Sequence, residues 1–311
     1  MTINQTTVYT ETKEVINVSR RPFDIVPSCP WLQSCVTSNI MATIPELLTR
    51  LEDLLLTDSA SSDLSNLLQM VNDYSINAYR RQELVQCKAL DLLVPTLLQP
   101  HSDVNLTAVL KILSHLATES DDTRLHIHAA GGVTLAADLV SNSATAPSAW
   151  KLLSHLALSR KCAITIVQDA RNAMTTALKK CKEVSTVREV VALVSNLAGH
   201  VNCHLALQET ALAPLCTAMQ RHVSNASVQM HACQVWWNIL ANVDPRRKKK
   251  DPTPGVMQVW YEHDALSCIS EAMEIHTSRT GVQEAACGAL SVVAWKPKED
   301  DAARASTVPA V

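Results

Sequence analysis

Along most of the chain, apolar residues recur at the three- and four-residue spacing of an amphipathic α-helix. A six-residue phrase, in which one polar position stands among apolar ones, marks the end of each long helical stretch. Its five copies lie at 112–117, 152–157, 193–198, 235–240 and 289–294. The fourth position of the phrase falls at 115, 155, 196, 238 and 292, so successive copies are 40, 41, 42 and 54 residues apart. The pattern predicts an array of repeated helical units.

The longest of these spacings contains an insertion. Residues 244–255 read DPRRKKKDPTPG, and three prolines within twelve residues are incompatible with a helix interior or a core segment. Without those twelve residues the spacing of 54 becomes 42, which matches the other copies.

A second phrase with the same period lies upstream of each copy, and in one unit it contains the pair Gly131-Gly132, where a helix must end and the chain must turn. Each unit is therefore predicted to hold a short first helix, a second helix of about three turns, and a third helix that ends in the six-residue phrase. Residues 43–73 have a helical pattern and are interpreted as an N-terminal cap for the array. Residues 1–42 are predicted to be a flexible arm and residues 297–311 a disordered tail.

The amino-acid composition limits the folds and the classes of protein that are possible. Only 6 of 311 residues are glycine, which disfavours turn-rich β folds and glycine-loop nucleotide folds, so we expect an all-α protein. The net charge of −3 does not favour a general binder of nucleic acids or membrane surfaces. No apolar run is long enough for a membrane span, and no secretory signal is visible at the N-terminus. With ten cysteines and no Cys-x-x-Cys pair, the sequence is typical of a reduced, intracellular protein.

The period of about 42, the glycine turn before the second helix and the third-helix phrase resemble the armadillo repeat family. The best copy is residues 282–294, and the resemblance covers roughly residues 75–296. It implies a right-handed α-solenoid of armadillo-type three-helix repeats over residues 43–296, with about five to six repeats and the insertion at 244–255. HEAT repeats are the structural alternative, but the Gly131-Gly132 turn and the short first helix favour armadillo repeats.

The resemblance also implies a binding site. In armadillo proteins the fourth position of the phrase commonly holds asparagine, which faces a concave groove and hydrogen-bonds the backbone of an extended peptide. We call the four polar residues at this position the ladder residues: His115, His155, Asn196 and Asn238. The fifth copy has Val292 instead. The alternative interpretation is structural, namely that these side chains only bridge adjacent repeats.

The side chains beside the ladder give hints about a partner. One helical turn before the ladder positions stand Lys111, Lys151, Ala192, Gln234 and Gly288. The two lysines suggest a partner with acidic residues at that end of the groove. Importin-type armadillo proteins have tryptophan at these positions, so a receptor for basic cargo is not expected here.

Trp237 replaces the serine that precedes the ladder residue in other units. With Trp236 it forms a pair in which one ring is predicted to face the core and the other the surface, as an interface anchor or as core packing.

The basic run Arg246, Arg247, Lys248, Lys249 and Lys250 is open to three interpretations: a localisation signal, a contact for phosphate or anionic lipid, or a solvated loop. We expect the protein to lie in the cytoplasm, and a localisation signal in the basic run would give the nucleus as the alternative.

No catalytic motif is present, and we predict neither enzymatic activity nor a cofactor. His200 and His204 are spaced for one helix face, but no third ligand accompanies them, so no metal site is predicted. The predicted function is a protein–protein interaction scaffold or adaptor that binds an extended partner segment in the groove. The alternatives are a structural subunit of a larger cytoskeletal or ciliary assembly, docked by its outer surfaces, and a regulator of a small GTPase.

Overall fold

The computed structural model describes residues 43–57, 62–99, 101–242 and 255–295. Within these ranges the chain forms seventeen α-helices and one short 3₁₀ helix, with no β-strand. The arm at 1–42, the basic run at 246–250 and the tail at 297–311 lie outside the described residues.

In chain order the helices are α1 (Ile44–Thr57), α2 (Ser62–Ile76), α3 (Ala78–Gln86), α4 (Ala89–Thr96), α5 (Asp103–Leu116), α6 (Asp121–Ala129), α7 (Gly132–Leu139), α8 (Ala146–Leu156), α9 (Arg160–Asp169), α10 (Arg171–Lys180), α11 (Val184–Ala198), α12 (His204–Thr210), α13 (Leu212–Arg221), α14 (Ala226–Asn242), α15 (Val256–Glu262), α16 (Ala265–Ile275) and α17 (Thr280–Trp295). Helices α1 and α2 form a two-helix cap. The remaining fifteen helices form five units of a first, a second and a third helix, and the 3₁₀ helix Val201–Cys203 precedes α12 in the fourth unit. The helical units that the sequence pattern predicts are confirmed.

The third helices α5, α8, α11, α14 and α17 stack in chain order on the cap helix α2, and each helix contacts the next. The apolar residues of the six-residue phrase fill the space between them. The side chains of Leu113, Leu153 and Val194 are fully buried, and the small residues Ala117 and Ala157, at the ends of two phrases, are fully buried as well. A unit cannot bury its own apolar face, and it is the neighbouring units that remove this surface from water.

In three of the five units, the turn between the first and second helix contains a residue in the left-handed conformation. In the second unit, Gly131 takes a left-handed conformation with φ +84°, and Gly132 leaves no room for a side chain, since a Cβ there would stand 2.6 Å from Ile127 Cγ2. Lys88 and Asp264 occupy the same place in the first and fifth units, with φ of 61° and 49°. The sequence pattern indicated the glycine turn but not these two strained residues.

In three units, a side chain of the first helix caps the last turn of the preceding helix. Arg81 Nη1 donates to the Ile76 carbonyl at 2.8 Å, Arg124 Nη1 to that of Ala117 at 2.9 Å, and His204 Nε2 to that of Ala198 at 2.8 Å. The last carbonyls of a helix have no partner within the helix, so these side chains satisfy them at the junction between units.

No single helix in the described ranges is long and apolar enough to cross a membrane. One pair, Val184–Ala198 with Val201–Thr210, passes a length and composition test only when taken together, and it is bent by 114°.

Two substitutions at turn residues test how the left-handed conformation affects the stability of the fold. A left-handed conformation costs a residue with a Cβ about 1 kcal/mol relative to glycine. Lys88→Gly should therefore raise the melting temperature. Gly131→Ala should lower it, and because a Cβ at Gly131 would meet nothing within 4 Å, the loss reflects the backbone conformation alone. Thermal unfolding followed by circular dichroism measures both changes. Equal melting temperatures for all three proteins would contradict this account of the turns.

Candidate functional site

The four ladder residues lie half-buried on consecutive third helices, and each contacts the third helix of the preceding unit. His115 Nδ1 is 2.8 Å from Ser75 Oγ, and His155 Nδ1 is 2.8 Å from the Ser114 carbonyl oxygen and 2.9 Å from Ser114 Oγ. In each contact the partner is the serine at the third position of the phrase, or its equivalent in the cap.

The two asparagines continue the series. Asn196 Nδ2 donates to the Ser154 carbonyl at 2.8 Å and is 3.2 Å from Ser154 Oγ, and Asn238 Nδ2 donates to the Ser195 carbonyl at 3.3 Å. The four contacts link residues 40, 41, 42 and 43 positions apart. The ladder residues therefore bridge the repeats from the cap to the fourth unit, as the structural interpretation expects. Whether they also bind a peptide depends on their other edges.

The bridges determine which atoms remain on the outer edges. The Ser75 hydroxyl donates to the Asn72 carbonyl at 2.6 Å, so its oxygen accepts the hydrogen bond from His115 Nδ1–H. His155 Nδ1 must also carry hydrogen, because a carbonyl can only accept. In the neutral rings Nε2 is then an acceptor, and Asn196, which donates through Nδ2, keeps Oδ1 as an acceptor. Within the described part of the chain, none of these three outer atoms has a hydrogen-bond partner.

The surroundings keep both ladder histidines neutral. The pKa of His115 is lowered from its usual 6.5, first by burial and then by the positive charges of Lys151 and Arg81. Burial also lowers the pKa of His155, and it outweighs the Ser114 carbonyl bond, which favours the protonated ring. At neutral pH, Nε2 of each ring therefore presents a lone pair.

The positions one turn before the ladder residues set the charge of this surface, which we call the third-helix face. Lys111 is exposed and Lys151 half-buried, and neither has a carboxylate within ion-pair distance among the described residues. On the next third helix, Glu189 is paired with its neighbour Arg188 at 2.8 Å, and its charge also favours protonation of His155. The face is therefore basic in the first two units. In the fourth unit the corresponding residue is neutral: Gln234 Oε1 accepts from His231 Nδ1 at 3.0 Å.

The ladder ends with an aromatic side chain. Trp236 is buried and meets Trp260 edge-on, with ring centroids 5.2 Å apart, whereas Trp237 is 36% exposed, as the sequence pattern predicts. The ring of Trp237 lies against Gly288 of α17, where a Cβ would stand 2.4 Å from a ring carbon. Trp237 occupies the serine position of the bridge, and the residue in register with it on the next helix is Val292. An apolar contact thus replaces the polar bridge between the fourth and fifth units.

The two histidines whose spacing would suit a metal site have other partners. His200 Nε2 bonds the Ala157 carbonyl and His204 Nε2 the Ala198 carbonyl, each at 2.8 Å, so both rings are engaged between units. No cluster of three metal-ligating side chains occurs in the described ranges. Sequence reasoning missed the third-position serines as partners of the ladder, although they recur with the same period.

Burial of histidine gives the fold a dependence on pH. It is the first cause of the lowered pKa of His115, His155, His204 and His231. The unfolded chain then takes up protons near pH 6.5 before the folded chain does, so stability is complete above that pH and is lost as pH falls. We expect a lower melting temperature at pH 5.5 than at pH 7.5. A His204→Gln, His231→Gln variant should lose less on acidification, and a drop as large as that of the wild type would refute the assignment to these rings.

Comparisons with known proteins identify the fold. No model of a protein family matches the sequence, and no curated protein matches it significantly. Solved structures do match. A designed armadillo repeat protein superposes with a TM-score of 0.67 and 17% identity, over 81% of this chain and 100% of the other. A second design, in complex with the peptide (KR)4, gives a TM-score of 0.65 and 17% identity, over 81% and 99%.

A structure from a study of the interaction between cadherin and β-catenin gives a TM-score of 0.62 and 14% identity, over 85% of this chain and 49% of the other. These likenesses agree with the three-helix units described above. The chain therefore has the armadillo repeat fold, an all-α, right-handed solenoid of three-helix repeats.

Proposed function

We propose that the third-helix face binds an extended segment of another protein and that the chain acts as a non-enzymatic adaptor. The observation that carries this proposal is the row of outward acceptors on His115, His155 and Asn196, one from each of three successive units. An extended polypeptide has unpaired backbone N–H groups along its edge, which are the donors that such a row requires.

Repetition compensates for the weakness of each contact. A single hydrogen bond contributes about 1 kcal/mol net, so one acceptor cannot hold a peptide. Acceptors fixed on packed helices lose little entropy on binding, and their contributions accumulate along the array. The bridges to the preceding unit supply this rigidity, since they hold each outer edge in place before a partner arrives.

The designed armadillo repeat protein that is in complex with a (KR)4 peptide shows that the fold can bind a peptide, which supports the proposal. We do not propose the same basic ligand for this chain. The third-helix face here is basic at Lys111 and Lys151, and a lysine- and arginine-rich peptide would be repelled there.

A second candidate function rests on the first helices. Ile164 and Leu205 are 41 residues apart, hold equivalent places in the third and fourth units, and are 38% and 53% exposed. Exposed apolar side chains at equivalent places in two neighbouring units favour docking into a larger assembly that leaves the third-helix face free.

A blocking substitution separates the two functions. Ala192 of α11 is half-buried, one turn before Asn196, and takes part in no bridge. Ala192→Arg should cover the face and weaken binding of a peptide about tenfold or more, whereas Ala129→Arg, at an exposed position at the end of α6, should not. The probes are peptides selected on the wild-type protein from a displayed library of random linear sequences, and their affinities are measured for all three proteins.

Circular dichroism and melting temperature must first show that the variants fold equally well. Equal affinity of the selected peptides for the Ala192→Arg variant would overturn the proposal. So would a failure to select any peptide, combined with recovery of the same cellular partners by all three proteins, and that pattern would favour docking through Ile164 and Leu205.

A further inference from the structure

We propose that the bound segment has a fixed pattern: acidic residues over Lys111 and Lys151, and an aromatic or large aliphatic residue on Trp237. This inference rests on the proposed function and adds the chemistry and the spacing of the partner. It is carried by the change in character along the third-helix face, which is basic in units one and two and aromatic at the boundary of units four and five.

The basic end consists of two lysine side chains. Lys111 and Lys151 stand at the same position of consecutive third helices and have no carboxylate partner among the described residues. Both act on His115, whose protonation they oppose. In contrast, Arg81 pairs with Glu119, and Arg188 with Glu189. Cations that have no counter-charge within the described fold are those available to a ligand.

The apolar end is a supported aromatic surface. Trp237 lies against the backbone of Gly288, and no side chain at residue 288 separates the ring from α17. The adjacent Trp236 is buried and packs against Trp260, which holds this part of α14 in place. Trp237 is the only exposed indole among the described tryptophan side chains. A half-exposed, rigidly seated tryptophan is a typical anchor for an apolar side chain.

The stack fixes the distance between the two ends. Packed helices lie about 8–10 Å apart, so Lys151 in unit two is about 20 Å from Trp237 in unit four, and Lys111 is about 30 Å away. An extended chain advances about 3.3 Å per residue. The acidic residues should therefore precede or follow the apolar anchor by about six to nine positions.

The hydrogen-bonding groups between the basic end and the apolar end of the face favour a peptide over a nucleic acid as the ligand. His155 Nε2 and Asn196 Oδ1 are acceptors, and the lowered pKa of His155 keeps its ring neutral. Phosphate oxygens are acceptors too, and two of them facing these atoms would leave both sides without a hydrogen. A peptide backbone supplies N–H groups at the same place.

The test uses synthetic peptides with three glutamates, a serine and threonine spacer of about six residues and one phenylalanine, made in both chain directions because the acceptors alone do not set the direction. Control peptides carry lysine for glutamate, serine for phenylalanine, or a spacer of about two residues. Affinity is measured by calorimetry, and the combined emission of the six tryptophans of the full chain is followed by fluorescence.

Lys111→Glu, Lys151→Glu should weaken binding of the acidic peptide about tenfold and should bring about binding of the lysine peptide. The matched control is Lys161→Glu, Lys179→Glu, which reverses two exposed lysines on α9 and α10. Trp237→Ser should cost about tenfold in affinity and abolish the shift in emission, whereas Tyr261→Ser, at an exposed aromatic residue of α15, should do neither.

The possible outcomes separate the proposed acidic and apolar pattern from the proposed peptide-binding function on which it rests. If library peptides bind in a manner that Ala192→Arg abolishes, but charge reversal, serine replacement and spacer length change nothing, the acidic and apolar pattern is wrong and the proposed function stands. If no peptide of any kind binds the face, both fail. Tighter binding of a single-stranded RNA that displaces the peptide would also overturn the pattern.

Discussion

The hydrogen bond between each ladder side chain and the third helix before it is the interaction on which both the fold and the candidate site depend. Stacked third helices bring a polar side chain into a half-buried position, and a polar group there needs a partner. The serine of the preceding phrase provides that partner at His155 and Asn196. Imidazole and carboxamide are the side chains that can satisfy this demand on one edge and still offer an acceptor on the other.

This double use explains why stability and binding are coupled in the array. Removal of the Asn196 side chain would delete an outer acceptor, but it would also leave the Ser154 carbonyl without its partner between two units. A loss of binding in such a variant has two causes that affinity alone does not separate. Positions such as Ala192, which border the face without bridging the repeats, change access to the face and leave the stack intact.

The period of the sequence was sufficient to predict the helical repeat fold and the burial of the phrase, because both depend on apolar residues at regular spacing. It was not sufficient to assign the bridges. Ser114 and His155 are 41 residues apart, and their contact follows from the register of two helices, which no local pattern encodes. The left-handed turns at Lys88 and Asp264 were missed for a related reason, since the usual signal for that conformation is glycine. The first-helix caps at Arg81 and Arg124 were not predicted either, although they join residues only five and seven positions apart.

The boundary between the fourth and fifth units shows that the third and fourth positions of neighbouring phrases behave as one pair. Where the serine becomes Trp237, the facing fourth position becomes Val292, and Gly288 removes the side chain that would collide with the ring. Three of the four bridges use the backbone carbonyl of the third position, so loss of the fourth-position side chain would leave that carbonyl without its partner between the units. At the last boundary the Trp237 ring packs against α17 instead. The same exchange ends the row of acceptors and begins an aromatic surface. A change that keeps the stack intact therefore also divides the face into two chemically different ends, and a partner that contacts both must match them in order and in spacing.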